Sequence, residues 1–203
     1  MRYTGPKARR ARRQGMNIYG TDKYDRILQR KPMGPGKGPR AQMGKLSEFA
    51  QQLKEKQKAR DMYGLSEKQF RRLYDAATKV KGQTGEAFKQ LLERRLDNVI
   101  FRSGLAMTRM QARQFVSHGL FLVNDTRVTS PSFQVKPGQV ITVRTKSKTS
   151  PVFAPIVEAH RKYTPPSWLK ADGAMKIEIV SLPEAMHGEQ AVDTRMIIEF
   201  YSR

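Results

Sequence analysis

Apolar residues recur at helical spacing through the first half of the chain. Phe49, Ala50 and Leu53 follow Ser47, a potential N-cap, so a helix is predicted between Ser47 and Gly64, with Lys54, Lys56, Lys58 and Arg60 on its other face. Ser66 and Gln69 make a Ser-x-x-Gln cap ahead of Phe70, Leu73, Tyr74 and Ala77, and Gly82 closes that segment. A third helix is predicted from near Thr84, with Ala87, Phe88, Leu91 and Leu92 as its stripe, and helical spacing resumes at Leu96, Val99 and Ile100. These stripes read as helix–helix core.

From about Leu92 to Arg144 the pattern changes. Thr108 and Gln111 form another capping box, opening a helix with Ala112, Phe115 and Val116 inward and Gly119 as its stop. An apolar run, Leu120 to Val123, leads into Asn124-Asp125-Thr126 as a turn, then Arg127 and Val128. Pro137-Gly138 makes a second turn before the β-branched run Val140 to Arg144. Two helices therefore lead into a small antiparallel sheet. Arg109 and Arg113 lie one turn apart on the flank of the inward face, a pre-positioned cation pair suited to structured RNA.

Charge changes the picture. The 203 residues carry 39 Lys and Arg against 18 Asp and Glu, a formal net charge of +21. Self-repulsion of that size calls for a polyanion partner, so nucleic acid leads and an anionic membrane surface is a distant alternative. Residues 1–60 hold 17 of the cations and only 4 acids. The Pro- and Gly-dense stretch Pro32 to Pro39 argues against regular structure, so the first segment reads as an extended basic arm that orders on a partner. Toward the C-terminus the sign reverses, with six acids from Asp172 to Glu199 that are expected to face protein or solvent. No apolar run reaches the ~18–20 residues that span a bilayer, and the N-terminus lacks the apolar core of a signal peptide.

Catalytic chemistry is not evident. There is no Cys, which excludes thiol catalysis and cysteine-ligated metals, and His118, His160 and His187 stand too far apart for a metal motif. Lys37 is followed by Gly38 rather than Ser or Thr, so the glycines make no P-loop. No cofactor or metal is expected. Trp168, after Pro165-Pro166, reads as a packing anchor.

The run Arg95-Leu96-Asp97-Asn98 through Thr108-Arg109-Met110-Gln111-Ala112-Arg113-Gln114-Phe115-Val116-Ser117-His118-Gly119 resembles the RNA-binding module named after small-subunit ribosomal protein S-four, and Val123-Asn124-Asp125 resembles its closing hairpin. Arg2 to Lys7, Tyr63 to Arg71, Ser167-Trp168-Leu169 and Phe200-Tyr201-Ser202 resemble further segments of the bacterial S-four family, so the likeness covers nearly the whole chain. It implies an α+β fold: an extended arm (1–45), a discontinuous helical domain (46–91 and 160–203) and an inserted S-four-type RNA-binding domain (92–159). It implies a structural protein of the cytoplasmic small ribosomal subunit that binds ribosomal RNA directly and starts assembly of the subunit body. Contact with S-five affecting decoding accuracy, proximity to S-three and contact with messenger RNA at its entry path are implied as well. Many members hold zinc through arm cysteines; this chain resembles the cysteine-free branch. Asp125 stands where a hairpin Gly is usual, and Asp tolerates that left-handed conformation.

Composition and resemblance together nominate RNA-contacting residues: Arg2, Lys7, Arg9, Arg10, Arg12 and Arg13 in the arm; Lys45, Lys54, Lys58, Arg60, Lys68, Arg71 and Arg72 around the first helices; and Arg95, Arg109, Arg113, His118, Asn124 and Arg127 in the module. The rival is a pseudouridine synthase carrying the same module, whose catalytic loop holds an Arg-Leu-Asp triplet like Arg95-Leu96-Asp97. Against it, Asp97 falls inside a helical apolar pattern, where pairing with an arginine or a backbone amide is expected, and too few residues remain for a catalytic domain.

Overall fold

A computed structural model describes residues 3–36, 46–148, 150–160, 163–172 and 175–203. They divide into two compact units, one formed by Met1–Gly85 with Gln190–Arg203 and the other by Glu86–Glu189.

In the first unit, α1 (Lys7–Gln14) and α2 (Asp22–Arg30) lie within the segment expected to be extended. The Pro/Gly cluster starts only after α2. Upstream of it, Pro6 supplies a preset φ at the entry to α1, and Gly15 at φ +72° ends it by returning its N–H to Ala11 and Arg12. Ala11 and Ile18 are buried and anchor the segment. α3 (Glu48–Met62) and α4 (Glu67–Ala77) follow, with the Ser47 and Ser66 hydroxyls accepting from Ala50 N and Gln69 N, the caps that their sequences predict. α4 buries Phe70, Tyr74 and Ala77 as its spacing implies. α3 does not follow its apolar positions: Phe49 is exposed, while Gln52, Lys56, Ala59, Asp61 and Met62 are buried. The final helix, α10 (Thr194–Ser202), accounts for the inversion. It packs on α3, with Phe200 5.6 Å from Phe49 and Lys56 Nζ 4.5 Å above the Phe200 ring, while Tyr201 stacks 4.6 Å from Tyr74.

Polar side chains knit this unit. Lys56 donates to Glu67 at 2.9 Å, Arg60 to the same carboxylate at 3.0 Å and the Tyr201 hydroxyl at 2.8 Å. Burial pushes Glu67 up, but the bonds from Lys56 and Tyr201 hold its carboxyl below the usual range. Asp61 takes Arg10 from α1 and Arg60, yet burial wins and its carboxyl sits above the usual range.

In the second unit, α5 (Thr84–Glu93, entered from the first unit), α6 (Leu96–Arg102) and α7 (Arg109–Ser117) precede the strands. α7 is capped by the Thr108 hydroxyl, which accepts from Gln111 N, while Gln111 reaches back to Met107 N at 2.8 Å. The described residues form a five-stranded antiparallel sheet: β1 (Phe121–Val123), β2 (Thr126–Arg127), β3 (Val140–Val143), β4 (Leu169–Ala171) and β5 (Lys176–Ile179), in the order β2-β1-β3-β5-β4. Its register sets Phe121 opposite Val143, Val123 opposite Ile141, Ile141 opposite Ile177 and Leu169 opposite Ile179. Those residues are all buried and share one face. Leu96, Val99, Ile100, Ala112, Phe115 and Val116 from the helices complete the core, with Trp168 1% exposed. The short helices α8 (Thr145–Lys148) and α9 (Ala154–His160) lie between β3 and β4.

The boundaries expected from sequence differ from the compact units. Residues 160–189 belong with the sheet rather than with the helical unit, because β5 pairs with β3 and buries Ile177 and Ile179. Only 190–203 return, as α10 and its approach.

Candidate nucleic-acid interface

The β1–β2 hairpin is closed by a two-residue loop. Asn124 and Asp125 adopt φ +46° and +63°, both positive as a type I′ turn requires, and Val123 pairs with Thr126 around them. Asn124 is drawn inward as well: its Oδ1 accepts from Val140 N at 2.8 Å, tying the turn to β3. Arg127 lies across the end of α7, donating to the His118 carbonyl at 3.2 Å, and its guanidinium covers Gly119 so closely that a Cβ there would come within 2.3 Å of Nε. Both Arg127 and the His118 ring are exposed.

Beside the hairpin, α6 and α7 carry their arginines in ion pairs rather than as an open cation face. Asp97 accepts from Arg95 Nε and Nη2 at 3.2 and 2.9 Å, from Arg113 Nη1 at 3.1 Å and from Asn98 N at 3.0 Å. Arg95 is 2% exposed, so it is a core ion-pair partner and not a surface contact, contrary to its nomination. Glu93, fully buried, takes a two-pronged bond from Arg102 at 2.9 and 3.1 Å and one from Asn98 Nδ2 at 2.6 Å. Asn98 Oδ1 in turn accepts from Arg109 Nε at 2.8 Å, and Arg109 stands 4.5 Å over the Phe101 ring. Glu189 accepts from both Arg109 and Arg102, closing a ring of five polar side chains. Burial pushes Glu189 up, but the two guanidiniums hold its carboxyl below the usual range. The expectation that the C-terminal acids face solvent or another protein is thus corrected for Glu189.

Among the arm residues, Arg12 donates to the carbonyls of Lys31, Met33 and Gly34 at 3.2, 3.0 and 3.3 Å, stapling the chain beyond α2 back to α1. Arg10 pairs with Asp61 and lies 3.5 Å over the Tyr3 ring. Arg9 and Arg13 are exposed and Lys7 is half-buried. On α3, Lys54 is exposed, whereas Lys58 pairs with Glu55 at 2.7 Å and Arg60 with Glu67. On α4, Lys68, Arg71 and Arg72 are exposed, with Arg71 bonded to Asp75 at 3.0 Å. Arg2 and Lys45 lie outside the described residues, as do Lys37 and Gly38 of the arm's turn.

Sequence reasoning missed Glu93, Asn98, Arg102 and Glu189. Their signal, acids at separations of 9 and 80 or more residues from their arginines, is invisible without the fold. Asp97 pairs with arginines and a backbone amide as its pattern predicts. Being 4% exposed and so engaged, it is unavailable as a catalytic aspartate. Among the described residues no group of three or more acids or histidines could hold a metal ion, and no helix is long and apolar enough to cross a membrane.

Comparison with known proteins agrees with this architecture. Residues 2–93 match the profile of the ribosomal protein S4/S9 N-terminal domain, and residues 94–141 match the S4 domain. The small ribosomal subunit protein uS4 of Geobacillus kaustophilus (strain HTA426) is 46% identical over 202 residues, covering 100% of this chain and 99% of the relative. Those of Latilactobacillus sakei subsp. sakei (strain 23K) and Roseiflexus sp. (strain RS-1) are 45% and 43% identical, with the same coverage. By name, these relatives are proteins of the small ribosomal subunit. With identity of this level over full length and both domain profiles matched in order, the chain belongs to the uS4 family of small ribosomal subunit proteins.

Proposed function

We propose that this chain is a structural component of the cytoplasmic small ribosomal subunit that binds ribosomal RNA directly and begins assembly of the subunit body. The observation that carries the reading is the separation of its cations into two populations. Arg10, Arg12, Arg60, Arg95, Arg102, Arg109 and Arg113 are used inside the protein. Arg9, Arg13, Lys54, Lys68, Arg72 and Arg127 remain exposed on capped helices and a tight hairpin. The internal pairs hold the scaffold rigid, so the exposed set meets phosphate with less side-chain and backbone entropy to lose. Within the second unit, His118 and Asn124 stand at the end of α7 and at the hairpin turn beside Arg127. Contact with S-five, with consequences for decoding accuracy, proximity to S-three and contact with messenger RNA at its entry path belong to the same reading, by family likeness.

The test is equilibrium binding of the full chain to a small-subunit multi-helix junction RNA and to an unrelated duplex. The junction should bind more tightly. If six to ten phosphates are neutralised, affinity should fall about 10³–10⁵-fold between 50 and 200 mM salt on the duplex-DNA scale, somewhat less on RNA. A flat salt response would overturn the reading.

A further inference from the structure

The polar ring of the second unit contains two acids of different character. The Glu93 side chain is 0% exposed and holds Arg102 and Asn98 from within; the Glu189 side chain is 21% exposed and closes the ring from its solvent edge. Glu189 therefore sits where an anion from solution would arrive at Arg109. A carboxylate and a phosphodiester are alike as anionic, acceptor-only groups, and both are ligands that a guanidinium binds through the same N–H donors.

We infer that Glu189 is an autoinhibitory contact: it occupies the Arg109 guanidinium in the free protein as a stand-in for RNA phosphate, and RNA binding exchanges one anion for the other. The inference rests on the RNA-binding reading above and deepens it. Asn98 and the Phe101 ring keep Arg109 in place on its other sides, so release of Glu189 leaves a positioned cation rather than a loose one. Asp97 cannot play this part for Arg113, because it also neutralises the buried Arg95 and cannot leave without stranding that charge.

The experiment compares Glu189→Gln, which keeps the size and removes the charge, with the unaltered full chain on junction RNA and on an unrelated RNA duplex. A residue that merely supports the fold would give weaker binding when changed. Autoinhibition gives the opposite sign: tighter binding to the junction by about fivefold, the scale of a part-exposed ion pair, and a salt dependence steeper by about one counterion. The gain should vanish when Arg109→Gln is added, and Glu189→Asp should stay close to the unaltered chain. Unchanged or weaker binding by a folded Glu189→Gln protein overturns the inference. Should that variant fail to fold, the Arg109 Nη2–H resonances of the unaltered protein, the donors to Glu189, decide: they should shift on titration with the duplex, and their staying fixed at saturation overturns the inference. Equal affinity of the unaltered chain for junction and duplex would instead sink the junction-recognition reading, leaving the effect of Glu189→Gln to be scored on the duplex alone.

Discussion

Replacing Asp97 with Asn should cost the second unit about 3–5 kcal/mol, the scale for removing one partner of a buried ion pair. The structure explains why the upper part of that range applies. Asp97 is a single carboxylate serving two guanidiniums through three bonds of 2.9–3.2 Å, and one of those guanidiniums, Arg95, is 2% exposed. Asn keeps the volume but presents an N–H₂ toward donors that need an acceptor, so Arg95 is left buried without its counter-charge. Trp168 is the only tryptophan and is buried in this unit's core, which makes its fluorescence in a urea titration a direct report of the unit's unfolding. The paired change Arg95→Met with Asp97→Leu should recover much of the loss, because buried apolar replacements avoid the desolvation of both charges. A loss below about 1 kcal/mol for Asp97→Asn would refute this account of the ion pair, since that is the scale of an exposed one.

Arg12→Ala should release the chain around Lys31 to Gly34, seen as faster protease cleavage there with little change in α1 itself; unchanged cleavage would mean that the three carbonyl contacts do not restrain it. Asp125→Gly should stabilise the hairpin by ~0.5–1 kcal/mol in urea titrations, because φ +63° is a left-handed conformation that Gly adopts without a Cβ penalty. Glu67 and Glu189 have carboxyls held below their ordinary value of 4.5, so the stability they contribute is present above about pH 4.5 and is lost as pH falls through their lower folded values. Asp61, held above its ordinary 3.8, has the opposite sign: its contribution is present below that value and lost as pH rises through the higher one. Acid unfolding followed by Trp168 fluorescence should accordingly be less steep in Glu189→Gln.

Much of the fold was legible because local chemistry agreed with it. Ser47, Ser66 and Thr108 cap the helices their positions imply, and the positive φ values of Asn124 and Asp125 close the hairpin read from Val123 to Thr126. α1 and α2 were obscured because the Pro/Gly cluster just beyond them dominated the reading, although Pro6 and Gly15 bracket α1. β4 and β5 are short and carry Lys170, Lys176 and Glu178 on their outward positions; the place of β5 is set by pairing with β3 some 35 residues earlier, and that of β4 by pairing with β5. The buried polar face of α3 has the same origin, since nothing near Gln52 or Lys56 in sequence announces Glu199, Phe200 and Tyr201. For the interface, the sequence does not distinguish cations that hold the scaffold from those left exposed. That division depends on acids distant in the chain.

The proposed reading has the exposed cations bind small-subunit RNA while the internal ones, Arg109 apart once RNA displaces Glu189, hold the scaffold. It is tested most directly by sedimenting the tagged full chain with small ribosomal subunits, unaltered and with Arg9, Arg13, Lys68 and Arg72 changed to Gln. Because these four side chains are exposed, the variant should unfold at nearly the same urea concentration as the unaltered protein, yet be stripped from the subunits at lower salt. Co-sedimentation of the variant through the same salt range as the unaltered chain would contradict the account.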